Sequence, residues 1–221
     1  AFGGIIGRSQ TMDVKTAQVV ANFRELESSN IDAIVTPGID EEAVDILRKT
    51  RRRMVVYSVP ALGPLPFGDM NIKQVPGGIL YQQSNTTPID RSSWLVATKK
   101  SPTTEQLEGM EEAWLLMRHI RSNTILVWDE KNGVTLGIGS GQVSRVGSAR
   151  LALDQSGEGA KGAILASDSF FPFQDTVELA ARYGISAIVQ QGGSINDQAS
   201  IDAADDAGIV MVLTGERAFW H

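Results

Sequence analysis

The chain has 221 residues, 42% of them apolar and 21% charged, with a formal net charge of −6 and no cysteine. That length and composition describe one large or two small globular domains and argue against disorder, membrane spans and general nucleic-acid or anionic-membrane binding. Without cysteine there is no disulfide, no thiol chemistry and no zinc site built from Cys and His ligands. 

Residues 2–6 read as a short strand interrupted by Gly3 and Gly4. Asp13 then caps a helix whose apolar face, Val14, Ala17, Val20 and Ala21, runs to about Leu26. IDAIVT (31–36) is a buried-type strand closed by Pro37-Gly38, and Asp40 starts a helix through about Arg48, followed by a strand over 54–59. The basic run from Arg48 to Arg53 has two accounts, a nucleic-acid or localisation patch and cations opposing the negative end of a helix dipole; its position favours the second. PALGPLP (60–66) is a rigid connector, and VPGGILYQ and WLVAT are strands flanking a polar loop.

Ser101-Pro102 marks the start of a long helix with Leu107, Met110, Ala113, Trp114 and Met117 on its core face. A hairpin follows, TILVW and VTLGI joined at Lys131-Asn132-Gly133. Helix (143–153), strand GAILAS, helix (175–183), strand ISAIVQ, helix (196–207) and strand IVMVLT then alternate, which implies crossover units, a sheet with parallel pairs and ligand binding at the carboxyl ends of strands.

The unusual residues fall in those loops. GIGSGQVSR (137–145) offers Gly139 and Gly141 for close backbone approach, a helix N-terminus for an anion and the planar donors of Arg145; taken alone, the glycines equally describe a tight packing turn. DSFFPFQD (168–175) sets Phe170, Phe171 and Phe173 around a proline between two carboxylates. Aromatic faces there suit a flat heterocycle, with a carboxylate accepting from its N–H groups; core plugging by the rings and helix capping by Asp175 are the structural alternatives. QQGGSIND (190–197) is by itself an ordinary strand-to-helix loop. In the closing GERAFWH, Arg217, Phe219 and His221 share one face of an extended tail that can close over a planar anion; a frayed end is the competing account.

AFGGII, RSN-TILV, GIGSGQVSR, ASDSFFPFQD, QGGSIND and TGERAFWH occur in this order. Together they resemble the formyltransferase domain of the bifunctional purine-biosynthesis enzyme AICAR transformylase/IMP cyclohydrolase, over essentially the whole chain. The resemblance implies an α/β fold of cytidine-deaminase-like three-layer α/β/α subdomains with mixed, partly parallel sheets, here the remainder of a first subdomain with its connector (1–98) and a second (99–221). It implies transfer of a formyl group from the co-substrate 10-formyltetrahydrofolate to the 5-amino group of AICAR, no zinc and a homodimer with active sites near the interface; the absence of cysteine is compatible with the expected cytoplasmic setting. Carried over residue by residue, the AICAR contacts fall on Gly3, Asp32, Asn123, Arg145, Phe170 and Arg217, with Phe219 and His221 in the matching tail. The folate contacts fall on Val146, Asp175, Ser194 and Ile195. Within the aromatic loop, Phe170 is expected to face the nucleotide while Phe171 and Phe173 anchor the turn.

In that family a Lys-His-x-Asn-Pro-x-Gly motif precedes AFGG and supplies the proton acceptor and an oxyanion-stabilising cation; this chain begins at AFGG and identifies no catalytic pair or cyclohydrolase domain. Arg118-His119 lies outside the motif and is a poor substitute. The expectation is that the chain alone binds nucleotide weakly and transfers formyl groups poorly or not at all. A non-catalytic nucleotide-binding or regulatory remnant is the alternative.

Overall fold

Apolar residues alternate with a period of two along the strands of the second half, and each alternate set ends in a different core. The computed structural model describes residues 3–23, 31–60, 70–84 and 88–219. Two units divide between Ser84 and Asn85. The connector from Ala61 and the terminal His221 lie outside the described residues.

In the first unit, β1 (Gly4–Gly7), β2 (Ile31–Thr36) and β3 (Val55–Ser58) form a parallel sheet in that order. The helices α1 (Val14–Asn22) and α2 (Glu41–Thr50) make the crossovers. Asp13 caps α1 as expected, its carboxylate accepting the Thr16 N–H at 2.8 Å. Ala17 and Val20 of α1 and Ala43 and Leu47 of α2, at helical spacing, bury themselves with Met12 and Ile34 in a small core.

The basic run resolves structurally. Arg48 and Lys49 occupy the last turn of α2, and the Arg51 guanidinium donates to the carbonyls of Val20, at 3.2 Å, and Phe23. These bonds serve carbonyls at the end of α1. Beyond the connector, β4 (Met70–Val75) and β5 (Gly78–Gln83) pair antiparallel around Pro76-Gly77, with Gly77 at φ +84° as such a turn requires. The sequence predicts one strand there, VPGGILYQ, and the structure has two.

The second unit holds a six-stranded sheet of order β6-β11-β10-β9-β7-β8, with β6 (Leu95–Val96), β7 (Ile125–Asp129), β8 (Val134–Gly139), β9 (Ile164–Ser167), β10 (Ala187–Gln190) and β11 (Val210–Leu213). The strands β9, β10 and β11 are mutually parallel, while β7, β8 and β6 join antiparallel. Because β6 pairs with β11 and Met211 donates its N–H to Thr98 Oγ1 at 2.9 Å, residues up to 98 belong to this unit. The boundary expected after residue 98 therefore lies earlier, at Ser84/Asn85.

One helix, α3 (Thr104–Met117), covers one face. It starts with a capping box between Thr103 and Gln106, so Pro102 precedes the cap and is not its first helical residue. Met110, Ala113, Trp114 and Met117 pack in one cluster with Leu126, Ile164, Ala187, Val189 and Val212. The opposite face carries α4 (Arg145–Ser156), α5 (Asp175–Arg182) and α6 (Asp197–Asp206), whose Ala149, Leu153, Val177, Ala180 and Ala204 share a second cluster with Ile125, Val127, Leu165, Ile188 and Met211. Full burial of each Leu, Ile, Val or Met side chain contributes roughly 1.5–3 kcal/mol. The result is a helix–sheet–helix sandwich with a mixed sheet. Among the described residues no helix is long and apolar enough to cross a membrane.

Candidate functional site

Strand register brings the singular loops to one rim of the second unit's sheet. Ile125, the first residue of β7, pairs with Ser167 at the end of β9 and with Gly139 at the end of β8. The turn before β7, the β8–α4 loop and the aromatic loop after β9 therefore converge at the carboxyl ends of β8 and β9. Between them lies a cavity of about 470 Å³ lined by Asn123, Val143 to Val146, Ser169, Phe170, Pro172, Phe173, Asp175 and Phe219. That volume suits a small organic ligand.

Arg145 is the first residue of α4, which Ser144 caps by accepting the Gly147 N–H at 3.2 Å. It is almost fully buried, at 7% exposure, and its guanidinium is held from several sides. Nη1 is ion-paired with Asp168 and donates to Ser167 Oγ at 3.0 Å and the Thr124 carbonyl at 3.4 Å; Nη2 donates to Asn123 Oδ1 at 3.2 Å. Asn123 Nδ2 in turn donates to the Gln142 carbonyl at 2.9 Å. This ties the turn before β7 to the glycine loop.

The sequence offers Asp168 as one of two carboxylates that could accept from a ligand. It is wholly buried and accepts from Arg145 and from Ser122 Oγ, so its two oxygens serve the protein. The glycines also separate. A Cβ on Gly139 would stand 1.8 Å from the Ser148 carbonyl oxygen, so this glycine permits close packing of β8 on α4. Gly141 has open space and φ +66°, which makes it the turn residue.

The three phenylalanines divide by burial. Phe171 is fully buried in the cluster beneath α4 and α5, as an anchor should be. Phe170 is half-buried and lines the cavity. Phe173, expected as a second anchor, is 63% exposed and also lines the cavity, so its ring is not held in the core as that of Phe171 is. Asp175 is the first residue of α5 and exposed, its Oδ1 accepting the Thr176 N–H at 2.8 Å. Asn196 Nδ2 donates to the Pro172 carbonyl at 2.9 Å, which fastens the loop after β10 to the aromatic loop.

Of the remaining predicted residues, Val146 lines the cavity and packs against the core beneath it. Ser194 and Ile195 lie on the loop fastened by Asn196 but do not line the cavity; Ile195 is fully exposed, and Ser194 Oγ accepts the Asn196 N–H at 3.1 Å. In the tail, Phe219 lines the cavity and the Arg217 guanidinium lies 5.8 Å from its ring centroid, as the shared face requires. Between them Ala218 is buried, its N–H donating to the Asp168 carbonyl at 3.1 Å. The tail is thus anchored through its main chain.

Gly3 and Asp32 meet in the first unit, at the amino ends of β1 and β2: a Cβ on Gly3, whose φ is +84°, would fall 1.8 Å from Asp32 Oδ2. Arg118 forms an ion pair with Glu216 at 3.1 Å and His119 is exposed beyond the end of α3; neither lines the cavity.

Fold and site together define a mixed α/β protein with a ligand-sized cavity at strand ends, walled by a buried arginine, an amide and aromatic rings. The chain belongs to the AICARFT/IMPCHase bienzyme family, whose model matches residues 1–155. It is 45% identical over 222 residues to the bifunctional purine biosynthesis protein PurH of Synechococcus sp. (strain CC9311), covering 100% of this chain and 40% of that protein. It is 46% identical to PurH of Prochlorococcus marinus (strain MIT 9313), covering 100% and 41%, and 43% identical to PurH of Nostoc sp. (strain PCC 7120), covering 100% and 42%. The chain thus spans about two fifths of the length of these relatives. Among solved structures, RibD of Acinetobacter baumannii aligns with 48% of this chain and 34% of its own at 16% identity and a TM-score of 0.36, too loose a likeness to bear on fold or activity.

Proposed function

We propose that this chain supplies nucleotide- and folate-binding groups of an AICAR formyltransferase, which moves the formyl group of 10-formyltetrahydrofolate to the 5-amino group of AICAR in purine biosynthesis. The observation that carries the reading is the convergence of separately expected residues on one cavity: Asn123, Arg145, Phe170 and Phe219 from the nucleotide set, and Val146 and Asp175 from the folate set. Arg145, Asn123 and Phe170 line the cavity together, a combination of planar polar groups and an aromatic ring that suits a small heterocycle bearing an amide. Asp175 and Val146 offer an exposed carboxylate and an apolar surface to a second, larger ring system.

In the transfer the amine nitrogen bonds to the formyl carbon, the bond from that carbon to the folate nitrogen breaks, and the proton lost by the amine is balanced by one gained at the departing folate nitrogen. The residues of this cavity act by binding and orienting. The cytidine-deaminase-like character of the subdomains, a homodimeric assembly and a cytoplasmic setting belong to the same reading. Isothermal titration of the purified chain tests it. AICAR monophosphate and a reduced-folate analogue should each bind, and Arg145→Ala should abolish the nucleotide heat; a wild-type chain that binds neither overturns the proposal.

A further inference from the structure

We infer that Asp168 is the positioning residue of this cavity, a buried anion that sets the orientation of Arg145 and, through it, Asn123, while its own main chain holds the tail. The inference rests on the nucleotide-binding reading of the cavity. Asp168 does not line that cavity, yet it contacts every segment that walls it on this side. Its carboxylate takes Arg145 of α4 and Ser122 of the turn before β7. Its N–H donates to the Thr124 carbonyl at 3.3 Å, and its carbonyl accepts from Ala218 at 3.1 Å.

A guanidinium at 7% exposure needs an anion, because removing one partner leaves an uncompensated buried charge. The pairing also directs the fork. With Nη1 occupied by Asp168, Ser167 and Thr124, the planar group is fixed, and Nη2 is delivered to Asn123 Oδ1 at 3.2 Å. Asn123 and Arg145 both face the cavity, so the direction of their polar atoms is set by a residue behind them. On the other side, anchoring buried Ala218 leaves Arg217 and Phe219 flanking a fixed point.

The substitution that separates positioning from folding is Asp168→Asn. It keeps the shape and can still accept from Arg145 while Ser122 Oγ turns to accept, but it removes the charge that directs the fork. The experiment measures the affinity of the 221-residue chain for AICAR monophosphate by titration and follows the Arg145 guanidinium protons by NMR. Met110→Ala, a core truncation in α3 away from the cavity, serves as the destabilised control. Thermal melts set a temperature at which all variants are folded.

The expected result is nucleotide binding weakened tenfold or more in Asp168→Asn, with the slowly exchanging guanidinium signals of Arg145 lost, and unchanged affinity in Met110→Ala. Wild-type affinity with a still-rigid Arg145 in Asp168→Asn overturns the role given to Asp168 and leaves the nucleotide reading standing. So does an equal loss in Met110→Ala, because general destabilisation then explains the effect. A wild-type chain that does not bind overturns both, and that failure is visible before any variant is made.

Discussion

Phe171 shares a core cluster with Leu165, Val177 and Ile188, whereas Phe170, one position earlier, is half-buried and lines the cavity. Substitutions at the two positions therefore separate folding from binding. Phe171→Ala removes a fully buried ring and is expected to cost about 3–5 kcal/mol, seen as a lowered denaturation midpoint. Phe170→Ala leaves that cluster intact. Its expected effect is a roughly tenfold loss of nucleotide affinity, about 1.4 kcal/mol and within the range of ring–ring contacts, with a small change in melting temperature. Titration calorimetry and thermal melts on the same samples decide the assignment. A large fall in stability with unchanged affinity would return Phe170 to the core. Phe173→Ala should stay within about 0.5 kcal/mol of wild-type stability, because its ring is mostly solvated.

At the scale of elements, β8 depends on its glycines for its seat against α4. Gly139→Ala drives a methyl into the Ser148 carbonyl, whereas Gly141→Ala meets no atom and bears the left-handed backbone cost of roughly 1–2 kcal/mol. Urea unfolding should show Gly139→Ala as the more damaging of the two. The hairpin of β7 and β8 closes through Asp129, whose carboxylate accepts from Asn132 Nδ2 at 2.6 Å and from the Lys131 N–H at 3.0 Å. The Asn132 side chain, ahead of the main-chain donors and the Lys131 charge, holds this carboxyl below its ordinary value of 3.8. A depressed value in the folded state means the contribution is fully present above pH 3.8 and lost as the pH falls through the folded value. The melting-temperature gap between the wild type and Asp129→Ala should accordingly be widest near neutrality and shrink below pH 3.8.

The same elements show what sequence could and could not convey. The α3 stripe was readable because that helix buries one face, and β7, β9, β10 and β11 were readable as short apolar runs because each is buried on both faces between the two clusters. Strand β4 was not, since the β4–β5 hairpin is largely solvated on both sides and carries no burial pattern, and only Pro76-Gly77 marked its turn. The two residues of β6 join the second unit by pairing with a strand more than a hundred positions later, which no local signal announces. In the site, loop position and residue type located Arg145, Phe170 and Asp175. The partnership of Asp168 with Arg145 depends on the register that sets Ser167 opposite Ile125, so sequence offered the carboxylate without its partner.

Across the whole molecule, the two units differ in the core that supports them. Among the described residues, the second combines two clusters on either face of a six-stranded sheet, and the first has one small cluster beneath a three-stranded sheet. Because buried apolar area is the dominant favourable term in folding, the smaller core should melt first. Differential scanning calorimetry of the chain is expected to resolve two transitions, the lower from residues 1–84 and the upper from residues 85–221. A ligand stabilises only the unit it binds, by RT ln(1 + [L]/Kd), which is about 2.7 kcal/mol at a hundredfold excess over Kd. Arg145, Asn123, Phe170 and Phe219 all belong to the second unit, so AICAR monophosphate should raise the upper transition, and Arg145→Ala should remove that rise. The lower transition independently scores Gly3 and Asp32: it moves with nucleotide if they bind it and stays in place if their proximity is only a close approach of β1 to β2. A single transition with equal calorimetric and van't Hoff enthalpies would show instead that the two units unfold as one.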